Sequence, residues 1–386
     1  MWERYRLSAE QLEETAGRLA ARVREGLARD GEEIRCLPAW LARPPADLAG
    51  EALALDAGGT NQRAARVRIG PDGPVFLGGP AGGALPTGRE GAIPAEAFFA
   101  PQAVLLRTLG GQGDLPLGYC FSYPAEVRPD GDAVLLRWTK EVRVEGVVGR
   151  PVGALLAAAL EAAGGTRPRV TVLNDTVACL MAGAAAEADA WIGLIVGTGT
   201  NMAAFVPCDG IPKLAGAPGL PAAMAVNLES GNFHPGCLTE ADDRLDLASE
   251  NPGAQRFEKA VSGVYLGRLL AAEIPGLEGA AVRGAAALTA LRYHPDAPPG
   301  ARDLAAALLD RSADLVAAGL AGLAGLLLPR GGRLRVQAEG GLFRGAEGYA
   351  GRVGGTLRQL LGPGTAVTLA SVENANLVGA AAAALR

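Results

Sequence analysis

Twice in this chain a run of strand-forming residues breaks at a glycine turn and resumes as a second alternating run. The first is Ala52 to Arg68, with Gly58-Gly59-Thr60-Asn61 at its bend. The second is Trp191-Ile192-Gly193-Leu194-Ile195-Val196, then Gly197-Thr198-Gly199-Thr200-Asn201, closing at Val206. Each reads as a β-hairpin. Two such units with the same Gly-Thr-Asn chemistry suggest a duplicated fold, and two facing turns can clamp a phosphate chain. Gly58 and Gly59 let backbone N–H groups come close to an oxyanion. Thr60, Asn61 and Arg63 add donors, and Asp56 at the strand end can hold Mg²⁺ through water. The plain alternative is an ordinary hairpin turn. Neither a Walker A loop nor a Rossmann GxGxxG is present at the first turn.

A third stretch, Val170-Thr171-Val172-Leu173-Asn174-Asp175, places a carboxylate at the C-terminal tip of a buried strand. Ligands bind at such tips in open α/β sheets. The plain alternative makes Asp175 the N-cap of the next helix. Scarcity adds weight to particular positions. Only Lys140, Lys213 and Lys259 are lysines among 36 basic residues, and the eight asparagines all fall in the stretches singled out here. Ser122 lies near the end of the strand Leu117 to Pro124, which the proline stops, Thr139-Lys140 follow Trp138, Glu229 ends a strand after Asn227, and Glu258 lies in the first turns of a helix. Each has a bland reading: a satisfied hydroxyl, a solvated charge, or a carboxylate favoured at a helix start.

The remaining segments supply the frame. Residues 7–29 read as an amphipathic helix with a Ser8/Gln11 capping box. Residues 78–91 read as a Gly/Pro loop, residues 238–246 as an acidic surface loop or helix, and the helix begun near Asn251 as running to Ala272. Helices are also expected over 94–109, 151–163, 303–328 and 374–385, and strands over 335–341 and 366–371. A third glycine turn follows at Gly340-Gly341. Nearly half the residues are apolar, so a large core is available. The net charge of −5 argues against nucleic acid and anionic membrane as partners. Five scattered cysteines without a CxxC fit reduced thiols in a cytoplasmic protein. The charged N-terminal stretch lacks the apolar core of a signal peptide.

Taken together, these stretches resemble the hexokinase family of eukaryotic type, the hexokinases and glucokinases with an actin-like ATPase fold. The chain looks like a short, bacterial-looking member. Leu-Asp-Ala-Gly-Gly-Thr-Asn-Gln-Arg (55–63) is similar to that family's first phosphate motif, and Gly-Thr-Gly-Thr-Asn (197–201) to its second. Leu-Gly-Tyr-Cys-Phe-Ser-Tyr-Pro (117–124) and Trp-Thr-Lys (138–140) resemble its sugar signature, and Asn-Asp-Thr-Val (174–177) its catalytic segment. Asn-Leu-Glu (227–229), residues 251–259 and Arg-Ser-Ala-Asp-Leu-Val-Ala-Ala-Gly (311–319) extend the match. Departures occur at Glu141 where Gly is usual, Ser230 for Trp, Glu339 for Asp, and in Ser371-Val372-Glu373-Asn374-Ala375-Asn376.

The resemblance implies an α/β, two-domain actin-like (ribonuclease H-like) sugar kinase with an interdomain cleft. Residues 49–173 plus 374–386 would form the small domain, and 1–48 plus 174–373 the large one. It implies ATP-dependent transfer of the γ-phosphoryl group to the 6-hydroxyl of a hexose, most simply glucose. Asp175 would be the base and Lys140 would add positive charge. Ser122, Thr139, Lys140, Asn174, Asp175, Asn201, Glu229 and Glu258 would bind sugar. Asp56, Gly58, Gly59, Thr60, Asn61, Arg63, Gly197, Thr198, Gly199, Thr200, Gly340 and Gly341 would bind the nucleotide, with Mg²⁺ bound through ATP rather than by direct protein ligands. The expected state is a monomer or homodimer. Rival readings are a kinase for another hexose or an amino sugar, an inactive hexose sensor, and an actin-like ATPase with a protein partner.

Overall fold

The computed structural model describes residues 2–110, 113–274, 277, 285–293, 297 and 300–386. In chain order, helix α1 (Ala9–Ala28) precedes strands β1 (Leu37–Ala42), β2 (Gly50–Gly58), β3 (Asn61–Ile69), β4 (Val75–Ala84) and β5 (Ile93–Pro94). Helix α2 (Ala95–Thr108) leads to β6 (Leu117–Phe121), β7 (Ala125–Val127), β8 (Ala133–Leu135) and β9 (Val144–Glu145). Then come α3 (Val152–Ala162), β10 (Val170–Leu173), α4 (Asp175–Gly183), β11 (Ala190–Val196), β12 (Thr200–Pro207) and β13 (Ala223–Asn227). Helices α5 (Glu240–Leu247), α6 (Arg256–Val261), α7 (Gly263–Glu273), α8 (Ala285–Tyr293) and α9 (Ala301–Leu327) follow. The chain ends with β14 (Gly332–Glu339), α10 (Gly341–Gly345), α11 (Tyr349–Leu361), β15 (Thr365–Ala370) and α12 (Ala375–Ala384).

These elements form two compact units. One comprises Met1–Cys36, Ala188–Pro218 and Leu228–Ser371; the other comprises Leu37–Glu187, Gly219–Asn227 and Val372–Arg386. The division puts residues 37–48, 174–187, 219–227 and 372–373 with the second unit, whereas the sequence expectation assigned them to the larger domain. Packing accounts for the position of 174–187: α4 lies against α12, and a Cβ on Gly379 would overlap the Ala178 carbonyl.

The second unit is built on the order β10-β6-β2-β3-β4. β2 and β3 form the expected antiparallel hairpin, from Gly50 opposite Ile69 to Gly58 opposite Asn61. β6 and β10 continue parallel to β2. In the first unit the order β12-β11-β14-β15 repeats this plan: β11 and β12 are an antiparallel hairpin, and β14 and β15 run parallel to β11. Two hairpins, each extended by two parallel strands on the side of its first strand, are the duplication that the paired glycine turns suggested.

The core of the second unit is aromatic. Phe98, Phe99, Tyr119, Phe121 and Tyr123 are buried there with Leu53, Leu55 and Leu156, and Trp138 packs against them. In the first unit α1 opens with the Ser8/Gln11 capping box, both halves formed, and packs along α9. Among the described residues no helix is long and apolar enough to cross a membrane.

Three local expectations are corrected. Part of the Gly/Pro stretch at 78–91 is strand, because β4 pairs with β3 from Arg68 opposite Val75 to Asn61 opposite Ala84. Glycine suits it: a Cβ at Gly82 would overlap the Gln62 carbonyl. The acidic 238–246 stretch is not solvated throughout, since α5 buries Asp242 and Asp246. Asp242 receives Arg311 bidentately at 2.7 and 2.8 Å. Burial, the largest single influence, works to raise its carboxyl, but the Arg311 guanidinium and the Thr239 hydrogen bonds together outweigh it and hold it below the usual carboxylate range. The helix from Asn251 is split, with Ser262 extended (φ −83°, ψ 149°) between α6 and α7.

Glycine substitutions separate packing from propensity. Gly118 on β6 faces α12 so closely that a Cβ would overlap the Ala380 backbone, whereas nothing lies near a Cβ at Gly17 in α1. Gly118→Ala is expected to cost about 1–3 kcal/mol or more through overpacking, and Gly17→Ala to stabilise by about 0.5–1 kcal/mol. Thermal and denaturant melts of the two variants check both signs.

Candidate functional site

The parallel strands β2, β6 and β10 end together. Register sets Asp56 beside Cys120 and Cys120 beside Leu173, so Asp56, Ser122 and the Asn174-Asp175 pair emerge at adjacent C-terminal ends. This is the edge of a parallel sheet where chain leaves strand geometry and side chains can meet a ligand.

At the tip of β10, Asn174 is the N-cap of α4, its Oδ1 accepting the Thr176 N–H at 2.8 Å. Asp175 is therefore not the cap, contrary to the plain alternative. Its Oδ1 accepts from the Thr176 N–H at 2.8 Å and from the Thr176 hydroxyl at 3.2 Å. Its Oδ2 takes no hydrogen bond among the described residues, and the residue is half-buried. A carboxylate with one oxygen held and the other open at a helix start can take a proton from a bound hydroxyl.

At the tip of β2, Asp56 is buried and its Oδ2 receives Arg63 at 3.0 Å and the Asn376 amide at 3.4 Å. Arg63 also donates to Asn374 at 3.2 Å. An open depression beside them is lined by Asp56, Gly58, Asn61, Arg63 and Gly82. Thr60 and Asn61 are exposed at the turn, which has Gly59 at φ 71°. Beyond β6, Lys140 adopts a left-handed conformation (φ 58°) and donates from Nζ to the Ser122 carbonyl at 3.0 Å. It also lies over the Tyr123 ring at 5.4 Å, while the Tyr123 hydroxyl donates to the Gly59 carbonyl at 3.0 Å. Tyr123 thus joins the glycine turn to the Lys140 loop. Thr139, half-buried, accepts the Val142 N–H at its carbonyl and so closes that loop.

The first unit brings its own group together. The turn after β11 is closed by the Gly197 N–H donating to the Gly199 carbonyl at 2.9 Å. The Thr200 N–H donates to Glu258 Oε2 at 2.9 Å. A Cβ on Gly199 would overlap that carboxylate. Asn201 donates to Glu229 at 3.5 Å and accepts the Ser230 N–H at 3.0 Å. Glu229 holds a left-handed backbone (φ 58°), a strained conformation for a side-chain-bearing residue. The turns after β11 and β14 also meet: a Cβ on Gly340 would overlap the Val196 carbonyl, and one on Gly197 would lie 3.1 Å from the Gly341 nitrogen. Thr198 stands exposed at the tip of its turn. The expected site residues therefore fall into two sets. Asp56 to Arg63, Ser122, Thr139, Lys140, Asn174 and Asp175 belong to one unit; Gly197 to Asn201, Glu229, Glu258, Gly340 and Gly341 belong to the other.

Sequence reasoning did not assign Asn376 or Tyr123 to the site. The rarity of asparagine was the available sign for Asn376, and the position of Tyr123 beside Ser122 was the sign for the other. The residues present fit a nucleotide with magnesium. Asp56 offers a buried carboxylate beside a glycine turn, and oxygen donors suit that ion. Among the described residues no group of three or more His, Cys, Asp or Glu side chains is placed to hold a metal ion.

Two family models, both described as hexokinase, match the chain, one over residues 1–81 and 98–185 and the other over 191–274 and 299–386. Hexokinase-9 of Oryza sativa is 33% identical over 282 residues, covering 69% of this chain and 56% of that protein. Hexokinase-2 of Candida albicans is 33% identical over 285 residues, covering 69% and 58%. The chain thus spans little more than half the length of the curated relatives it matches. A solved hexokinase from Schistosoma mansoni, complexed with glucose, superposes with a TM-score of 0.82 at 25% identity, covering 100% of this chain and 97% of that one. A ROK hexokinase from Thermus thermophilus shares the fold, with a TM-score of 0.56 at 24% identity over 87% of this chain and 98% of its own.

The thiols give a direct check on these surroundings. All five cysteines are free, and Cys36, Cys120 and Cys179 are buried. Burial pushes Cys36 up to about 12. Burial, then the neighbouring Asp56 and Asp175 charges, push Cys120 well above the ordinary thiol range. Because the thiolate is the reactive form, native protein treated with an alkylating reagent is expected to label at the half-buried Cys208 and Cys237 alone. Mass spectrometry should find Cys36, Cys120 and Cys179 labelled only after unfolding.

Proposed function

Because this chain belongs to the hexokinase family, we propose that it transfers the γ-phosphoryl group of ATP to the 6-hydroxyl of a hexose, glucose first among them. Its fold is the actin-like (ribonuclease H-like) α/β fold of sugar kinases. The observation that carries the proposal is Asp175, with one carboxylate oxygen held by Thr176 and the other open, at the sheet end shared with Ser122 and Asp56.

In this reading Asp175 accepts the proton of the sugar hydroxyl as its oxygen attacks the γ-phosphorus, and the bond from that phosphorus to the β,γ-bridging oxygen breaks to release ADP. Lys140, anchored through the Ser122 carbonyl, places positive charge near the transferring oxygens. The Asn174 side-chain carbonyl is committed to its helix cap, which leaves its amide to donate to the sugar. Ser122, Thr139, Asn201, Glu229 and Glu258 supply further hydrogen bonds to hydroxyls. A site of this kind rejects analogues that leave such groups unpaired. Thr60, Asn61, Arg63, Thr198, Gly199 and Thr200 bind phosphate oxygens, with Gly340 and Gly341 on the nucleoside side. Asp56 would hold magnesium through water beside the nucleotide, and the ion would neutralise charge on the phosphates. Positioning and charge stabilisation then supply most of the rate, as phosphoryl transfer requires.

A panel of hexoses and amino sugars with ATP and Mg²⁺, scored for sugar phosphate, tests the reading and ranks its acceptors. Asp175→Asn keeps the shape of the side chain but not its basicity, and kcat is expected to fall by about 10²–10⁴. Glu258→Gln and Glu229→Gln should raise the hexose KM by about 10–100-fold, corresponding to a weakened buried hydrogen bond to each hydroxyl. Sugar phosphate formed by Asp175→Asn at the wild-type rate would remove the proposed base.

A further inference from the structure

Lys259 is a rare residue that the functional reading leaves unused. It follows Glu258 directly in α6 and is almost fully buried, with 3% exposure. Its Nζ donates to Asp246 Oδ1 at 2.6 Å and to the Asn251 carbonyl at 2.8 Å. Asp246, on α5, is buried to the same extent. Its Oδ2 accepts the Gly253 N–H at 2.8 Å and Arg256 at 3.3 Å. Arg256 is also paired with Asp243. One carboxylate therefore holds the residue after Glu258, the residue two before it, and the turn leading into the helix. Gln255, the last residue of that turn, is left-handed (φ 53°) and its side chain is tied to Asn251 at 2.6 Å.

The helix so held has six residues. A helix that short has little stability of its own and takes its direction from tertiary bonds. On its other side Glu258 Oε2 receives the Thr200 N–H at 2.9 Å, so the carboxylate lies between an anchored helix and the second glycine turn.

We propose that Asp246 is a positioning residue for the hexose: by fixing Lys259 and Arg256 it sets the direction in which Glu258 presents its carboxylate. The inference rests on Glu258 as a hexose ligand, as in the reading above. A buried ion pair is weak evidence of net stabilisation, because apolar residues of the same volume often serve the fold as well. Direction is what the apolar pair cannot supply, since it has no donor for the Asn251 carbonyl and no acceptor for the Gly253 N–H and Arg256. Burial, the largest single influence, works to raise the Asp246 carboxyl, but Lys259, the Gly253 N–H and Arg256 together outweigh it and keep the group below the ordinary range. The tether therefore stays ionised at neutral pH.

The test compares the wild type with Asp246→Asn, Lys259→Arg and the double variant Asp246→Asn/Lys259→Met, which removes both charges together. Glucose binding is measured by calorimetry without nucleotide, alongside glucose KM, ATP KM and the melting temperature. The folded double variant should lose glucose affinity by about tenfold or more, with ATP KM within about twofold of wild type. Lys259→Arg, which keeps the charge and the donors, should retain most of the affinity. A folded double variant that binds glucose as wild type does would overturn the proposal. If the double variant does not fold, Asp246→Glu carries the same readout, because moving the carboxylate by one methylene must weaken glucose binding and leave ATP KM unchanged. Unchanged glucose affinity there overturns the proposal equally. Wild-type protein that neither binds nor phosphorylates a hexose would remove the functional reading and this inference with it, whereas wild-type binding with unaltered variants removes the inference alone.

Discussion

The arrangement of the second unit depends on backbone meeting backbone without an intervening side chain. Helix α12 fits between β6 and α4 because Gly118 on the strand and Gly379 on the helix both lack a Cβ. At Gly118 the neighbour is the Ala380 backbone, and at Gly379 it is the Ala178 backbone. Interiors are packed too densely to absorb a methyl group at either point without moving an element. The same contact fixes the start of α12, where Asn374 and Asn376 meet Arg63 and Asp56, and seats α4, whose first turn carries Asp175. Groups far apart in sequence thus share a sheet end because one helix lies close to it.

The glycines of the turns serve a related purpose in the first unit. Gly340 and Gly197 let the ends of β14 and β11 approach until main-chain atoms touch. Of the main-chain donors in the turn after β11, the Gly197 N–H closes the turn on the Gly199 carbonyl and the Thr200 N–H holds Glu258. Glu229 and Gln255 take the opposite course, accepting left-handed backbone while keeping side chains that a glycine would lack. Strain of that kind persists where surrounding bonds over-determine it: Glu229 is bonded to Asn201 and Gln255 to Asn251.

Much of this was legible in the chain. Alternation with glycine at the bend marked β2–β3 and β11–β12, Ser8 and Gln11 marked the start of α1, and Asp175 stood out as a carboxylate closing an apolar strand. What was hidden follows from non-local physics. β4 is poor in strand formers, and only pairing with β3 makes it a strand. Asp242 and Asp246 look solvated in an acidic stretch because their partners Arg311 and Lys259 lie 69 and 13 residues away. The break at Ser262 interrupts an otherwise helical run. Asn376 reaches Asp56 across 320 residues, a distance no local pattern encodes.

The composition of β4 bears on how the polypeptide behaves while it is being made. β4 is one of the two outer strands of its sheet among the described residues, and such an edge can offer amide and carbonyl groups to a passing extended segment. Four glycines and a proline lie among its ten residues. Glycine resists being frozen into a ladder, and proline has no N–H to donate to a newcomer. The nascent sheet therefore carries a border that its own hairpin can complete but that is a poor template for fibril growth.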